Sequence, residues 1–596
     1  MATKRIKHIW DPKINEFVPE QKSFIEQLRP IIAWLRSRIE KTTLLQWTLY
    51  ISILLRIVQL GKGAYWYDEG VSVVFARLPF DRMIQATAGD VHPPGYYLIL
   101  WVINWIGIPL TEWTSRFPSF LLSVLTVYLT WKLVQRPGVR LRETGKWAVV
   151  AWVVISPLQL HYAQEARMYA LLQVEVLICI NLLIAMADRG NIVGIERGFL
   201  TSYYILPVVM FYQKHKQRIW LTVVMTAMLY THNYAVFYFP SFVVVAWLFD
   251  IQPFNDRIKE LATGRKINHW GNIKISIKEF SIRWLPWFIV PVVLWLPWFI
   301  VLLKQMSVVA GGYWIQPVTV PAVLFVLYQM MFAYSMPPTF QGLGVLLTCG
   351  VLIYTSWRIY RDRPDQWLLF AVLALSPVVL SVLLSVIWKP VLLFRGLIGT
   401  AIPLIILVVK GIEGIRVTYK KIYAYGLIGV TLIAGVVGHY KYNAVNKGLT
   451  TTWVHEIVGQ MENGDVVLSL NDNGVIAMKT YAPDMPMYKL KGCGAEPLGS
   501  LSPYTRNAIG VEEKTIDELL PTKNKLIPSI AGPVLPLHTT TYNRVFFLST
   551  VAPVSPACEI EMANAIIAGE NTRLLIELSE TEYTQAGVYI VAGDIY

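Results

Sequence analysis

The chain has 596 residues, of which 55% are hydrophobic and only 15% are charged, and its mean hydropathy is +0.46. This composition excludes an ordinary soluble globular protein and predicts a polytopic α-helical membrane protein. The formal net charge is +14, but Lys and Arg are spread over loops between apolar segments, which argues against a nucleic-acid partner.

Apolar segments able to cross a bilayer, each of about 20 residues, recur along the first three quarters of the chain. Spans are predicted near residues 42–60, 116–134, 147–161, 169–187, 218–232, 235–249, 284–303, 341–358, 367–387, 396–411 and 422–440. Segments 94–110, 199–212 and 319–336 are ambiguous, so about 11–13 transmembrane helices are predicted. The first span lies too far into the chain for a cleaved signal peptide, so we expect it to remain as an anchor.

The distribution of Lys and Arg orients these spans, because basic loops stay on the cytoplasmic side. Basic residues are far more numerous in the predicted inner loops 1–41, 135–146, 188–217, 250–283, 358–366 and 410–421 than in the predicted outer loops 61–116, 161–168, 304–318 and 388–395. The N-terminus is therefore predicted inside. The alternation holds if 94–110 and 319–336 lie along the outer surface as juxtamembrane helices.

After Tyr440 the apolar segments stop and the chain becomes rich in turns. Strand-like runs at 465–470, 544–551 and 587–592, with a helical pattern at 559–569, predict a small α/β domain outside the membrane. Cys493 and Cys558 of this domain could form a disulfide in an oxidising compartment. The predicted divisions are a cytoplasmic basic segment (1–41), a transmembrane domain (42–440) with its first outer loop at 61–115, and an extracytoplasmic α/β domain (441–596).

An acidic pair, Asp68-Glu69, directly follows the first span, where unpaired charge is costly unless it has a role. The predicted outer loops bring further ionisable residues to the same side, namely Asp90, His92, Arg116, Glu165, Arg167 and Arg395. Acids and arginines that converge from separate loops indicate an active site. The alternative for each residue alone is a charge at a helix end that extends towards the membrane surface.

Several short motifs occur in order along the membrane part: Tyr67-Asp68-Glu69, Asp90-Val91-His92-Pro93-Pro94-Gly95-Tyr96-Tyr97, Ser115-Arg116-Phe117-Pro118, Gln164-Glu165-Ala166-Arg167-Met168-Tyr169, Thr231-His232-Asn233-Tyr234 and Phe394-Arg395. This series resembles the bacterial relatives of dolichyl-phosphate-mannose protein mannosyltransferases, a family that includes aminoarabinose transferases, within the GT-C superfamily of membrane glycosyltransferases. The resemblance covers about residues 42–411 and does not reach the C-terminal region.

The resemblance implies the GT-C fold and a prokaryotic cytoplasmic membrane. It also implies an inverting enzyme that moves a sugar from a polyprenyl phosphate to the hydroxyl of a protein, lipid or glycan acceptor on the outer face. Such a reaction requires a general base for the acceptor hydroxyl and cations for the leaving phosphate. The motifs give neither the sugar nor the acceptor.

By position in these motifs, Asp68 corresponds to the general base, and Glu69 completes the acidic pair, although it could instead cap the helix that follows. The residues that correspond to donor-phosphate ligands are His92, Arg116, Arg167 and Arg395. Arg395 is followed by Gly396, where the family usually has Tyr.

Four residues remain as candidates for contact with the acceptor or a metal: Asp90, Glu165, Tyr169 and His232. Acidic pairs in some GT-C enzymes hold a divalent metal, so Asp68, Glu69 and Glu165 are possible ligands of Mg²⁺ or Mn²⁺. Participation of His92 or His232 would favour zinc.

Three other functions are compatible with parts of the sequence. A transferase for a diphosphate-linked glycan, such as an O-antigen ligase or oligosaccharyltransferase, would need other loop motifs, and no Trp-Trp-Asp type motif is found. A lipid or polysaccharide transporter would place ionisable residues near the bilayer midplane, whereas here they cluster at span ends. A scaffold without activity, whose external domain binds a partner, would not need to retain Asp68, Glu165, Arg167 and Arg395.

Overall fold

The structure is a computed structural model. It describes residues 8–11, 16–19, 43–188, 206–250, 270–309, 315, 317–333, 339, 341–446, 454–455, 457–459, 461–463, 466–469, 472–490, 502–514, 545–548, 572–577 and 587–591. The predicted helical pattern at 559–569, the cysteines Cys493 and Cys558, and residues 199–205 lie outside this part. The chain divides into two compact units, Met1–Ile53 and Leu54–Tyr596. In the first unit, strands β1 (His8–Asp11) and β2 (Glu16–Pro19) pair antiparallel.

Helices dominate the second unit. The described helices that precede the C-terminal region are α1 (Leu44–Ile57), α2 (Tyr67–Arg77), α3 (Phe80–Gly89), α4 (Gly95–Trp105), α5 (Glu112–Val134), α6 (Glu143–Ile155), α7 (Pro157–Ala163), α8 (Tyr169–Asp188), α9 (Leu206–Thr231), α10 (Ala235–Asp250), α11 (Trp270–Val309), α12 (Val320–Phe332), α13 (Gln341–Asp362), α14 (Pro364–Ile387), α15 (Ala401–Glu413) and α16 (Thr418–Asn446). Short 3₁₀ helices lie at Pro137–Val139 and Phe394–Thr400.

The described helices confirm a polytopic α-helical membrane protein. Among the residues that the structure describes, seven helical segments are long and apolar enough to cross a bilayer: Glu112–Val134, Tyr169–Asp188, Phe280–Met306, Gln341–Asp362, Pro364–Ile387, Phe394–Glu413 and Thr418–Lys441. Shorter apolar helices occur at Leu44–Ile57, Ala235–Phe249 and Val320–Phe332. Helix α8 and helix α15 are enclosed by their neighbours, whereas α11 presents Ile282, Val293 and Ile300 at the surface, as contact with lipid requires.

One predicted span is divided in two. The sequence predicts a single helix over 147–161, but α6 ends at Ile155 and α7 begins at Pro157. Proline lacks an N–H and disfavours a helical conformation in the residue before it, and Ser156 accordingly has an extended backbone. The carbonyl groups freed at the break are satisfied by buried Arg56, which donates to the carbonyls of Val153 and Val154.

The first loop contains three short helices, α2, α3 and α4, before α5 begins at Glu112. Helix α4 lies within the predicted segment 94–110, and its placement along the outer surface remains a prediction. Pro79 caps α3 and Pro94 caps α4, positions in which a missing N–H is harmless. The loop ends at a capping box, in which the Thr111 and Thr114 side chains accept each other's backbone N–H. These caps fix where the short helices of the loop meet the spans.

The C-terminal region contains a mixed sheet. Its strands are β3 (Val466–Ser469), β4 (Met487–Leu490), β5 (Glu512–Lys514), β6 (Val545–Leu548), β7 (Thr572–Glu577) and β8 (Gly587–Val591), in the order β5-β4-β3-β6-β8-β7. Strands β3 to β6 pair in parallel, and β8 pairs antiparallel to both β6 and β7. In the described part of this region, helices α17 (Asp472–Tyr481) and α18 (Pro503–Ala508) connect the first strands. The boundary at 441 remains a prediction.

Candidate active site

A carboxylate and two guanidinium groups from three separate segments meet at one place. Asp68 lies in the first turn of α2, Arg167 between α7 and α8, and Arg395 at the start of the second 3₁₀ helix. Asp68 Oδ2 is 3.5 Å from Arg395 Nη1 and 3.7 Å from Arg167 Nη2. The side chains of Asp68 and Arg395 are 20% and 19% exposed, whereas that of Arg167 is 2% exposed, so Asp68 and Arg395 remain reachable.

Arg167 is held in a fixed orientation. Its Nη1 donates to the Asp68 backbone carbonyl at 3.1 Å, to Ser72 Oγ at 3.3 Å and to the Tyr97 hydroxyl at 3.2 Å. Tyr97 in turn donates to Asp90 Oδ2 at 3.3 Å. The structure therefore links the predicted residues Asp90, Arg167 and Asp68 through one hydrogen-bonded chain. Tyr97, which connects them, ends the motif that begins at Asp90 but was not among the predicted site residues.

Asp90 has an unusual proton affinity. Its poorly solvated position at the end of α3 raises its pKa from 3.8 to about 6, although Arg167 acts in the opposite direction. The same surroundings, with the charges of Arg167 and Arg395, lower the pKa of His92 well below its ordinary value of 6.5. His92 is accordingly neutral in this site.

The second acid of the pair, Glu69, faces away from Asp68 into a buried ion pair. Arg116 Nε lies 2.7 Å from Glu69 Oε1 and Arg116 Nη2 lies 2.8 Å from Oε2. The remaining hydrogen bonds of Arg116 go to the backbone carbonyls of Leu60, Gly63 and Ala64. Glu69 Oε1 also accepts the N–H of Ala166 at 2.9 Å. This pair thus joins the first loop to the segment that carries Arg167.

Aromatic rings and histidines border the acid and the arginines. The rings of Trp66 and Tyr169 lie 5.9 Å and 5.8 Å from the Arg395 guanidinium, within cation–π range. The rings of His92 and His232 are 5.1 Å apart, and that of Tyr169 is 5.6 Å from His232. His232 Nδ1 accepts the N–H of Tyr234 at 3.0 Å, which leaves Nε2 to carry the ring proton.

Glu165 lies on another side of the same segment. Its Oε1 is 3.5 Å from His161 Nε2, and within the described residues its Oε2 has no hydrogen-bond partner although the side chain is buried. Next to it, Gln164 contacts His439 at 3.1 Å, a residue of α16 that the sequence did not single out. Glu165 is therefore separated in its contacts from the Asp68–Arg395 pair.

The predicted metal ligands do not converge. Across the described ranges, no group of three or more His, Cys, Asp and Glu residues could hold a metal ion. Both oxygens of Glu69 are occupied by Arg116, Asp68 faces two arginines and Glu165 contacts His161. This donor set does not fit a metal site, and the positive charge next to Asp68 comes from guanidinium groups.

Comparison with known proteins finds similarity in fold. No protein-family model matches the chain, and no curated protein matches it in sequence. Solved structures of similar fold are found.

The structure is similar to ArnT of Cupriavidus metallidurans in the apo state, with a TM-score of 0.52 and 11% identity over 92% of this chain and 97% of that chain. It is also similar to the same protein bound to undecaprenyl phosphate, with a TM-score of 0.51 and 12% identity over 91% and 97%. An oligosaccharyltransferase of Archaeoglobus fulgidus has a TM-score of 0.41 and 11% identity over 75% of this chain and 62% of that chain. The ArnT likeness confirms the predicted fold, and identities this low concern the fold alone.

Proposed function

We propose that this protein is an inverting glycosyltransferase that moves a sugar from a polyprenyl phosphate to an acceptor hydroxyl at the outer face of a prokaryotic cytoplasmic membrane. The observation that carries the proposal is the meeting of one reachable carboxylate, Asp68, with the guanidinium groups of Arg167 and Arg395. These are the groups that the reaction needs at one point, a proton acceptor and a cradle for phosphate. The ArnT fold, which in one structure holds undecaprenyl phosphate, adds support.

The two arginines bind the phosphate of the donor. When the bond from the anomeric carbon to the phosphate oxygen breaks, the polyprenyl phosphate gains negative charge, and preorganised cations lower the energy of that state. Arg167 is preorganised by Ser72 and Tyr97, and Arg395 by the rings of Trp66 and Tyr169. A planar guanidinium can donate to two phosphate oxygens at once. His92, which is neutral, is a third donor contact, whereas Arg116, the fourth predicted phosphate ligand, pairs with Glu69 instead.

Asp68 acts as the general base, and binding of the donor releases it for this task. Without a donor, its carboxylate is the counter-ion of both arginines. The phosphate brings its own negative charge and replaces the carboxylate as their partner. Asp68 can then accept the proton of the acceptor hydroxyl, whose oxygen attacks the anomeric carbon from the face opposite the phosphate. The sugar–oxygen bond forms with inversion as the sugar–phosphate bond breaks.

Glu69 and Arg116 position this machinery. Both oxygens of Glu69 are engaged by Arg116, and one also accepts the N–H of Ala166, so neither is available to a substrate proton. For Glu165, whose second oxygen has no hydrogen-bond partner among the described residues, we propose contact with the acceptor. No step is assigned to a metal.

The test is transfer of radiolabelled sugar from polyprenyl-phosphate mannose or glucose by the purified protein in detergent, with membrane extract as the acceptor. We expect transfer by the wild type and a loss of about 100-fold or more in Asp68→Asn, with donor binding retained. Asp81→Asn, which alters an exposed acid of the neighbouring helix α3, is the matched control and should transfer normally. Wild-type rates in Asp68→Asn would overturn the assignment of the base. Donor binding without transfer from either donor would instead indicate a diphosphate-linked donor or a transporter.

A further inference from the structure

The helix that carries Asp68 is packed against a helix from the distant C-terminal region. Helix α17 lies against α2 so closely that a Cβ atom on Gly70 would be 2.7 Å from Ile476 Cγ2 and 3.1 Å from Thr480 Oγ1. Gly70 follows the acidic pair directly. The C-terminal region therefore reaches the first turns of the active-site helix.

The hydroxyl group of Tyr481 joins the two ends of the first loop. It accepts the backbone N–H of Tyr65 at 2.7 Å and donates to Glu112 Oε1 at 3.0 Å. The rings of Tyr481 and Tyr65 are 5.9 Å apart. Tyr65 lies three residues before Asp68, and Glu112 is the first residue of α5, so one side chain ties the start of the active-site helix to the following span.

The other end of α2 is held by the same helix. Arg77, the last residue of α2, donates to the carbonyl of Thr480 at 2.6 Å and to that of Leu110 at 3.1 Å. Contacts from α17 thus fix α2 before its start, in its first half and at its end.

A second contact holds helix α3 of the first loop. Thr505 of α18 is buried and donates to the carbonyl of Ala86 at 3.3 Å. A Cβ atom on Gly89 would overlap Thr505 Oγ1 and would be 2.8 Å from Ser502 Oγ. Gly89 directly precedes Asp90, so the C-terminal region packs beside both acids of the hydrogen-bonded chain.

From these contacts we propose that the C-terminal region is a positioning element of the active site, and that Tyr481 is its main positioning residue. The kinetic part of this inference rests on the proposed function. A displacement of about 1 Å of a reacting group lowers a rate strongly, so a loosened α2 slows the step in which Asp68 takes a proton. Donor affinity changes little, because the described contacts of Tyr481 do not include Arg167 or Arg395.

The first test compares Tyr481→Phe with Tyr488→Phe, which makes the same chemical change on β4, where the ring lies 4.0 Å from Lys514 Nζ. We expect Tyr481→Phe to lower kcat about tenfold, to leave the donor KM within about twofold and to speed amide hydrogen exchange in residues 67–77. Tyr488→Phe should leave all three quantities unchanged.

The second test changes the packing of α2 against α17 instead of a hydrogen bond. Gly70→Ala introduces a methyl group that conflicts with Ile476, and we expect it to lower kcat. Ile476→Ala removes the opposing atoms, so the double variant Gly70→Ala/Ile476→Ala should recover most of the lost rate. If the two substitutions only destabilised the fold, their losses in kcat would add instead.

Each outcome decides a separate point. Unchanged amide hydrogen exchange in residues 67–77 of Tyr481→Phe would overturn the proposal that Tyr481 holds α2 in place. Faster exchange with an unchanged kcat would overturn its role in positioning Asp68. Additive losses in the double variant would also count against it. If the wild type transfers no sugar, the proposed function fails. The hydrogen-exchange measurement would still support or overturn the proposal that Tyr481 holds α2 in place.

Discussion

Arg116 and Glu69 form a bidentate ion pair, with both side chains at most 1% exposed, between the first span after the loop and the helix of the acidic pair. Removing one member of a buried pair leaves an uncompensated charge and costs about 3–5 kcal/mol. We expect Glu69→Gln to lower the thermal unfolding temperature of the protein in detergent markedly. Glu143→Gln, which breaks the exposed pair with Lys146, is the control and should change it little. Equal shifts in the two variants would contradict the proposed positioning role of Glu69.

Asp90 should make the stability of the protein depend on pH. Because its pKa in the fold is raised to about 6, the folded protein retains a proton that the unfolded chain has lost between about pH 4 and pH 6. The contribution of Asp90 to the free energy of unfolding therefore falls as the pH rises through this window. Asp90→Asn should be more stable than the wild type near pH 7, and this advantage should disappear near pH 4. Thermal unfolding of both proteins across this range checks the prediction, and an advantage that grows towards acid pH would contradict it.

Removal of divalent metal should leave the reaction intact. Guanidinium groups supply the positive charge next to Asp68, and both oxygens of Glu69 are occupied by Arg116. Transfer measured after treatment with a chelator should match that of untreated protein within about twofold. A loss of transfer that Mg²⁺, Mn²⁺ or Zn²⁺ restores would return the acids to the predicted role of metal ligands.

The sequence predicted the convergence of Asp68, Arg167 and Arg395 because each lies in a predicted outer loop between apolar segments. The resemblance assigned the general base to Asp68 and not to its neighbour Glu69, but it did not predict the buried partner of Glu69. On a helix, adjacent residues point about 100° apart, and only the fold shows which one meets Arg116.

Two other features depend on contacts that local patterns do not contain. The apolar pattern around Ser156 does not show that Pro157 begins a new helix. The break depends on buried Arg56, which donates to the freed carbonyls. The hydrogen bond from Tyr65 to Tyr481 joins residues 416 positions apart, and no sequence motif marks Tyr481. Such long-range contacts follow from packing and not from periodicity.

The claim that Arg167 and Arg395 bind the donor phosphate is tested most directly by the affinity of the protein for polyprenyl phosphate without a sugar. If the phosphate displaces Asp68 from its two arginines, Asp68→Asn should bind it several-fold more tightly than the wild type, because a competing negative charge is gone. Arg395→Gln should bind it about tenfold more weakly, and Arg82→Gln, an exposed control on α3, should bind it as the wild type does. Weaker binding by Asp68→Asn together with unchanged binding by Arg395→Gln would contradict the claim that these arginines hold the phosphate in place of Asp68.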